Sequence, residues 1–182
     1  QLLARGAWAA RCGKGWREQA MKSGRSARSR SSCVRQPNGG GIIVLAVPYG
    51  AIDDVLRSIG DAVNGKPLID VTNVLTSDME LALGFSTSGA EELQKKAPAA
   101  KVVKAFNTTF AQHMSTGHVK GTAISLFAAG DDQGAKEQVL AMGRDIGFDP
   151  VDAGPLRNAR LLEPLASLNI QLAFSVKMGT QI

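Results

Sequence analysis

The chain is short of the residues that carry most enzyme chemistry. Its 182 residues include two histidines, two cysteines and one tyrosine. Cys12 and Cys33 lack C-x-x-C spacing, which argues against a disulfide framework or a zinc site. No Ser-His-Asp set, close carboxylate pair or metal cluster stands out. No apolar run approaches the ~20 residues of a membrane-spanning helix, so no membrane partner is expected. The opening Gln1-Leu2-Leu3-Ala4-Arg5 has no Met and no long apolar stretch ahead of a small-residue cleavage site, so it does not read as a signal peptide. A soluble, cytoplasmic protein is the expectation, and the length suits one domain with a core of its own.

Excess charge of one sign is also missing from most of the chain. The formal net charge is +5, but residues 1–40 hold nine of the 21 Lys/Arg and one of the 16 acids, a net +8. Residues 41–182 are therefore at −3. Both tryptophans and both cysteines also fall in residues 1–40, within a Ser/Arg/Gly-rich text that has neither helical nor alternating periodicity beyond about residue 10. This first unit, 1–40, reads as irregular or partly helical. Its three readings are a basic arm for an acidic partner, a poorly ordered linker, and a truncated or frame-damaged front end. Nucleic acid is not the expected partner of the acidic remainder.

From residue 41 the pattern is regular. Ile42–Val47 is a continuous apolar run, as in a strand buried on both faces. Ile52, Val55, Leu56, Ile59 and Val63 form one stripe of a helix over 51–63. Leu68–Val71 reads as a second strand, and Ser88-Gly89-Ala90-Glu91 as a capping box opening a helix that stops by Pro98. Lys101–Phe106 and Ala123–Ala128 read as further strands. A helix over 132–146, a short strand at 148–151, and a helix over 156–177 broken or kinked at Pro164 complete the chain. Strand and helix alternate, which predicts an α/β domain over 41–182, with a mostly parallel sheet and flanking helices.

In such sheets ligands sit outside the carboxyl ends of the strands. Three of those ends agree in character: Val47-Pro48-Tyr49-Gly50, Val71-Thr72-Asn73 and Phe106-Asn107-Thr108. They offer amides, hydroxyls, a rigid proline and free backbone groups, without clustered charge. That palette suits an uncharged, flat, amide-bearing ligand such as a nicotinamide ring. The bland alternative is that Asn73 and Asn107 cap the helices that follow. His113 and His118 read as structural or solvated, and Asp131-Asp132 as the head of a helix. Arg160 and Glu163 read as a surface pair.

The blocks VLAVPYGAIDDVL, GKPLIDVTN, SGAEELQKKAPAAKVVKAFNTTF, FAAGDD, IGFDPVDAGPLRNARLLEPLA and MGTQI, in this order from residue 44 to residue 182, resemble the NADPH-dependent F-420 reductase family. The cytosolic NADPH-binding domains of membrane metalloreductases are more distant relatives. The resemblance covers about residues 41–182 and implies a Rossmann fold that passes hydride between NADP(H) and the deazaflavin coenzyme F-420 or another flat acceptor. It implies Val47, Pro48 and Tyr49 beside the dinucleotide, and Thr72 and Asn73 near the nicotinamide ribose. It also implies Ala105, Phe106 and Asn107 at the ring, with Ala105 and Asn107 positioning it and no residue donating a proton. Gly154, Pro155, Met178, Gly179 and Thr180 would border the acceptor. A small-molecule hydride donor or acceptor and a homodimer are the partners it suggests.

One departure is large. Family members open with a β-α-β unit carrying G-x-G-x-x-G, whose glycines let backbone amides approach the pyrophosphate at a helix N-terminus. Residues 1–40 contain no such motif. Gly13-Lys14-Gly15 is followed at the needed spacing by Glu18, and Gly39-Gly40-Gly41 leads into a strand. The missing initiator Met and the ending at Ile182 fit a fragment. Charge-assisted bonds to the pyrophosphate contribute ~1.5–3 kcal/mol each, so a chain without several of them is expected to hold NADP poorly. A non-catalytic Rossmann scaffold and a basic-arm binder are the alternatives.

Overall fold

The computed structural model describes residues 41–76 and 78–181, and the backbone of 16–18 and 33–35. Most of what the sequence suggests about residues 1–40 therefore lies outside the described residues. Within them, β1 (Trp16–Glu18) pairs antiparallel with β2 (Cys33–Arg35), and β2 pairs antiparallel with β3 (Ile42–Leu45).

The remaining elements are α1 (Ile52–Ile59), β4 (Pro67–Asp70), α2 (Gly89–Lys96), β5 (Lys101–Ala105), β6 (His118–Val119), β7 (Thr122–Ala123), β8 (Ser125–Gly130), α3 (Gln133–Asp145), β9 (Asp149–Asp152) and α4 (Ala159–Ile170). The sheet runs β1-β2-β3-β4-β5-β8-β9, with β6 and β7 forming a separate hairpin. The central strands β3, β4 and β5 are parallel neighbours, in register at Leu45, Asp70 and Lys104.

Their continuous apolar character has a direct cause. Ile42, Val44, Ile69 and Val103 face one core, with Ala135, Val139, Leu140 and Met142 of α3. Ile43, Leu45, Leu68 and Val102 face another, with α1, α2 and Leu156 and Ala159 at the head of α4. Alternate residues feed opposite cores, so these strands are apolar on both faces except at Lys101 and at the buried pair Asp70 and Lys104. The expected α/β domain with helices on both faces is what the chain adopts.

Beyond the antiparallel β1–β2–β3 side, the sheet also departs from a fully parallel one at β8. β8 lies antiparallel to β5, at Ala105↔Ala128 and Val103↔Gly130, and parallel to β9. A parallel neighbour needs a long crossover, commonly a helix. Between β5 and β8 the chain has only a 3-10 turn at Ala111–His113 and the β6–β7 hairpin, so it doubles back. β9, Asp149-Pro150-Val151-Asp152, is the outer strand on this side.

Helix ends follow local chemistry with two departures. α1 stops at Gly60, whose φ of 53° leaves the helix, and a 3-10 turn carries Val63 into the core. α3 starts where Asp132 accepts the Ala135 amide at 2.7 Å. Pro164 sits inside α4 without ending it; the irregularity comes later, as a π-helical turn at Gln171–Ser175.

Candidate functional site

Because β3, β4 and β5 are parallel and adjacent, their carboxyl ends share one edge of the sheet, as the sequence predicts. Val47 is half-buried against the second core, and Pro48 is exposed. Tyr49 is half-buried, and burial pushes its phenol pKa up. Asn73 is exposed.

Neither asparagine caps a helix. After Asn73 the chain forms a small ladder instead: the Ala82 amide donates to the Val74 carbonyl at 2.9 Å, the Thr76 amide to the Glu80 carbonyl at 2.8 Å, and Leu75 bridges Leu81. After Asn107 comes a tight turn, in which the Thr109 amide donates to the Phe106 carbonyl at 3.1 Å. Phe106 makes this turn in the left-handed region, at φ 65°. That conformation costs an L-residue about 1–2 kcal/mol. Its buried ring, edge-on to Phe148 at 5.6 Å, helps hold it there.

The turn carries Asn107 inward, where it is 5% exposed. Its Nδ2 donates to the Leu162 carbonyl at 2.8 Å, tying the end of β5 to α4. Its Oδ1 is buried with no hydrogen-bond partner among the described residues, and so are the hydroxyls of Thr72 and Thr109. Buried polar atoms are rarely left unpaired, because each costs ~1–3 kcal/mol. Three of them in the turns after β4 and β5 mark this edge as polar ground suited to a ligand. Ala105 is fully buried and pairs with Ala128; β4 ends one residue short of it, at Asp70 opposite Lys104.

Beneath this edge lies an arrangement that the sequence reading missed. Lys104 is fully buried. Its ammonium donates to Asp70 Oδ2 at 3.0 Å, to the Thr72 carbonyl at 2.8 Å, and lies 3.0 Å from Glu163 Oε1. Asp70 Oδ1 accepts the Thr72 amide at 2.9 Å. The Glu163 carboxylate also accepts the first two amides of α2, Gly89 at 2.9 Å and Ala90 at 3.2 Å. Glu163 is thus no surface partner of Arg160. Arg160 instead forms a bidentate pair with Glu91, at 2.9 and 2.7 Å, and this pair holds the Glu91 carboxyl below its ordinary pKa. In the expected capping box Ser88 Oγ accepts the Glu91 amide, but the Glu91 carboxylate takes the Ser88 hydroxyl rather than its amide.

Gly89 has no room for a side chain. A Cβ there would lie 2.4 Å from Val74 Cγ2 and 3.2 Å from the Tyr49 ring. The close approach brings the helix amides onto Glu163 and packs the ends of β3 and β4 together.

The acceptor residues expected from the sequence separate into two groups. Gly154 and Pro155 are not brought to this edge. β9 runs parallel to β8 and so antiparallel to β5, placing Gly154 beside Gly130, which is level with Val103. There Gly154, at φ 83°, donates its amide to Asp152 and accepts from Gly130 and Lys136, while the Pro155 carbonyl accepts the Asn158 amide. Asp131 takes the Leu156 amide at 2.8 Å. These contacts build the β9–α4 turn. Thr180 is brought to the turn that follows Asn107: Gln112 donates to its hydroxyl, and His113 Nε2 lies 2.9 Å from its carbonyl. Met178 and Gly179 are exposed beside it. Phe174 stands edge-on to Phe110 at 6.0 Å on the same approach.

One of these features was legible in the sequence and the other was not. Asp70 and Lys104 occupy the same register position in adjacent buried strands, so opposite charges at matching places in PLID and KVVKA were a signal. The Glu163 role had no local signal, since its partners lie some 60–75 residues away in sequence.

No protein-family model matches the chain. Metalloreductase STEAP3 of Rattus norvegicus is 38% identical over 110 residues, 60% of this chain and 22% of its own length. Metalloreductase STEAP2 of Homo sapiens is 32% identical over 101 residues, 56% of this chain and 19% of its own. The chain spans about a fifth of the length of these relatives. Among solved structures, a protein of Arthrobacter sp. FB24 provisionally described as an F-420-dependent NADP-reductase superposes with a TM-score of 0.71 at 29% identity, over 77% of this chain and 66% of that one. A hypothetical protein of Sinorhizobium meliloti gives 0.58 at 33% identity, over 63% and 57%. In sequence and in fold, the chain resembles the F-420-dependent NADP-reductase family.

Proposed function

We propose that this chain holds the nicotinamide end of NADP(H) at the β3–β5 edge of an oxidoreductase. Hydride would pass to a flat acceptor of the deazaflavin F-420 type. The observation that carries the reading is the set of unpartnered buried polar atoms at Thr72, Asn107 and Thr109, in turns that follow adjacent parallel strands. A carboxamide both donates and accepts, and such atoms suit it. The likeness to NADP-reductase and metalloreductase chains supports the same class.

The nicotinamide itself supplies the hydride, so the protein needs no acid or base at the ring. Asn107, Thr72 and the Ala105 backbone orient it; Tyr49 and Pro48 wall one side; the Met178–Thr180 segment borders the acceptor. Orientation of this kind is worth several kcal/mol of barrier when the reacting atoms are held close.

The pyrophosphate end is a different matter. Among the described residues, three of the four α-helices have a carboxylate on the amides at or just before their start, and α1 carries two acids in its first turn. α1 begins with Asp53 and Asp54, the first amides of α2 bond Glu163, Asp132 caps α3, and Asp131 holds the Leu156 amide before α4. Acidic groups at these starts disfavour a phosphate there, so we expect the pyrophosphate to be held weakly by the described residues.

The test is a titration of the full chain with NADPH, followed by nicotinamide fluorescence at low and physiological salt, with Thr72→Val beside it. The variant removes an unpartnered hydroxyl, so folding should be unchanged while affinity falls about tenfold, ~1.4 kcal/mol. Absence of binding at both salts, or equal affinity in the variant, overturns the reading.

A further inference from the structure

The 71–88 segment leaves β4, forms the small ladder around Leu75 and Leu81, and re-enters the fold at α2. Both of its ends are held by one buried ammonium. At the entry, Thr72 is clasped on both sides of its peptide: its carbonyl by Lys104 Nζ and its amide by Asp70 Oδ1. At the exit, Gly89 and Ala90 are clasped by Glu163, whose Oε1 lies 3.0 Å from the same Lys104 Nζ.

The chemistry is well suited to fixing a position. An ammonium has three donors and no acceptor. Here it donates to Asp70 on β4 and to the Thr72 carbonyl, and Glu163 on α4 lies at ion-pair distance. The carboxylate oxygens of Asp70 and Glu163 are each engaged as well. A buried network whose charged members are all paired rigidifies its surroundings, and an ion cluster of this kind is a poor source of net stability compared with apolar packing. Its effect therefore falls on geometry.

We propose that Lys104, with Asp70 and Glu163, is a positioning network that sets the Thr72–Asn73 turn and the start of α2 relative to Ala105–Asn107. The role it gives these turns at the nicotinamide rests on the function proposed above. Lys104 touches no ligand in this scheme and acts through the Thr72 carbonyl. Because Lys104 is the residue before Ala105, one side chain aligns the ends of β4 and β5 at once.

The test is amide hydrogen exchange by mass spectrometry on the full chain, for Lys104→Met and for the triple variant Lys104→Met, Asp70→Asn, Glu163→Gln. The triple variant removes every charge of the cluster, so no unpaired charge is left to unfold the domain. Exchange of amides 72–76 and 89–90 should rise at least ~tenfold in the triple variant while β3 and β8 keep their protection. Unchanged exchange at 72–76 and 89–90, or an equal rise in β3 and β8, overturns the proposal. The second readout is the emission of saturating bound NADPH, which reports how firmly the ring is held. It should fall in the triple variant; equal emission overturns the nicotinamide part of the inference. A wild-type chain that binds no NADPH refutes the function reading, and the exchange result then decides the anchoring by itself.

Discussion

The domain buries two lysines, Lys104 and Lys136, and they teach different things. Both sit at ordinary ion-pair distances from carboxylates: 3.0 Å to Asp70 and to Glu163 for Lys104, 2.8 Å to Asp152 for Lys136. Distance does not distinguish them. Access to water does. The partners of Lys104 are 0% and 3% exposed, whereas Asp152 is 42% exposed. A carboxylate that can be hydrated loses little when its lysine is removed; one sealed in the fold has no substitute partner. Lys104 stands under the candidate site and Lys136 under the β9–α4 turn, so the sealed network coincides with the edge that must hold its shape.

Substitution should pull the two apart. Lys104→Met strands two buried carboxylates and should lower unfolding free energy by about 3–5 kcal/mol in urea denaturation; a loss under ~1 kcal/mol would place the two lysines in one class. Gly89→Ala tests the same region by volume: its Cβ meets Val74 Cγ2 at 2.4 Å. Overpacking at that site should cost about 1–3 kcal/mol by the same measurement. Lys136→Met leaves Asp152 to water and should cost no more than ~1 kcal/mol.

The smallest effect is on acidity. The Lys136 ammonium, followed by the Gly154 amide, holds the Asp152 carboxyl below its ordinary pKa. A depressed folded-state pKa gives stabilisation that is complete above the unfolded value, near pH 4, and is lost as pH falls through the folded value. The stability gap between wild type and Lys136→Met should therefore narrow only below about pH 4. A gap that closes instead between pH 5 and 7 would show that another group is responsible.

Much of the frame was legible because burial on both faces leaves a strong mark. The runs at Ile42–Leu45 and Val102–Ala105 and the stripe Ile52, Val55, Ile59 could hardly be anything else. Strand direction left no such mark, and β8 turned out antiparallel because of what the connection lacks rather than what the strand contains. The shared edge of β3, β4 and β5 followed from strand-helix alternation. The inward swing of Asn107 did not, since it depends on Phe106 adopting φ 65°, which no local pattern encodes for a phenylalanine. Arg160 and Glu163 show the limit of helix-spacing rules. Three residues apart they look like partners, yet each is claimed by a charge from another element, Glu91 and Lys104.

The outer strand β9 bears on how the protein behaves in a crowded solution. A bare strand edge is an invitation for another chain to add itself in register and begin an aggregate. β9 declines it with few residues: it is four residues long, has Asp149 and Asp152 at its ends, and carries Pro150, which has no amide hydrogen to offer. Exchanging Pro150 for valine would restore a donor beside the exposed Val151, giving a neighbouring molecule a strand to copy.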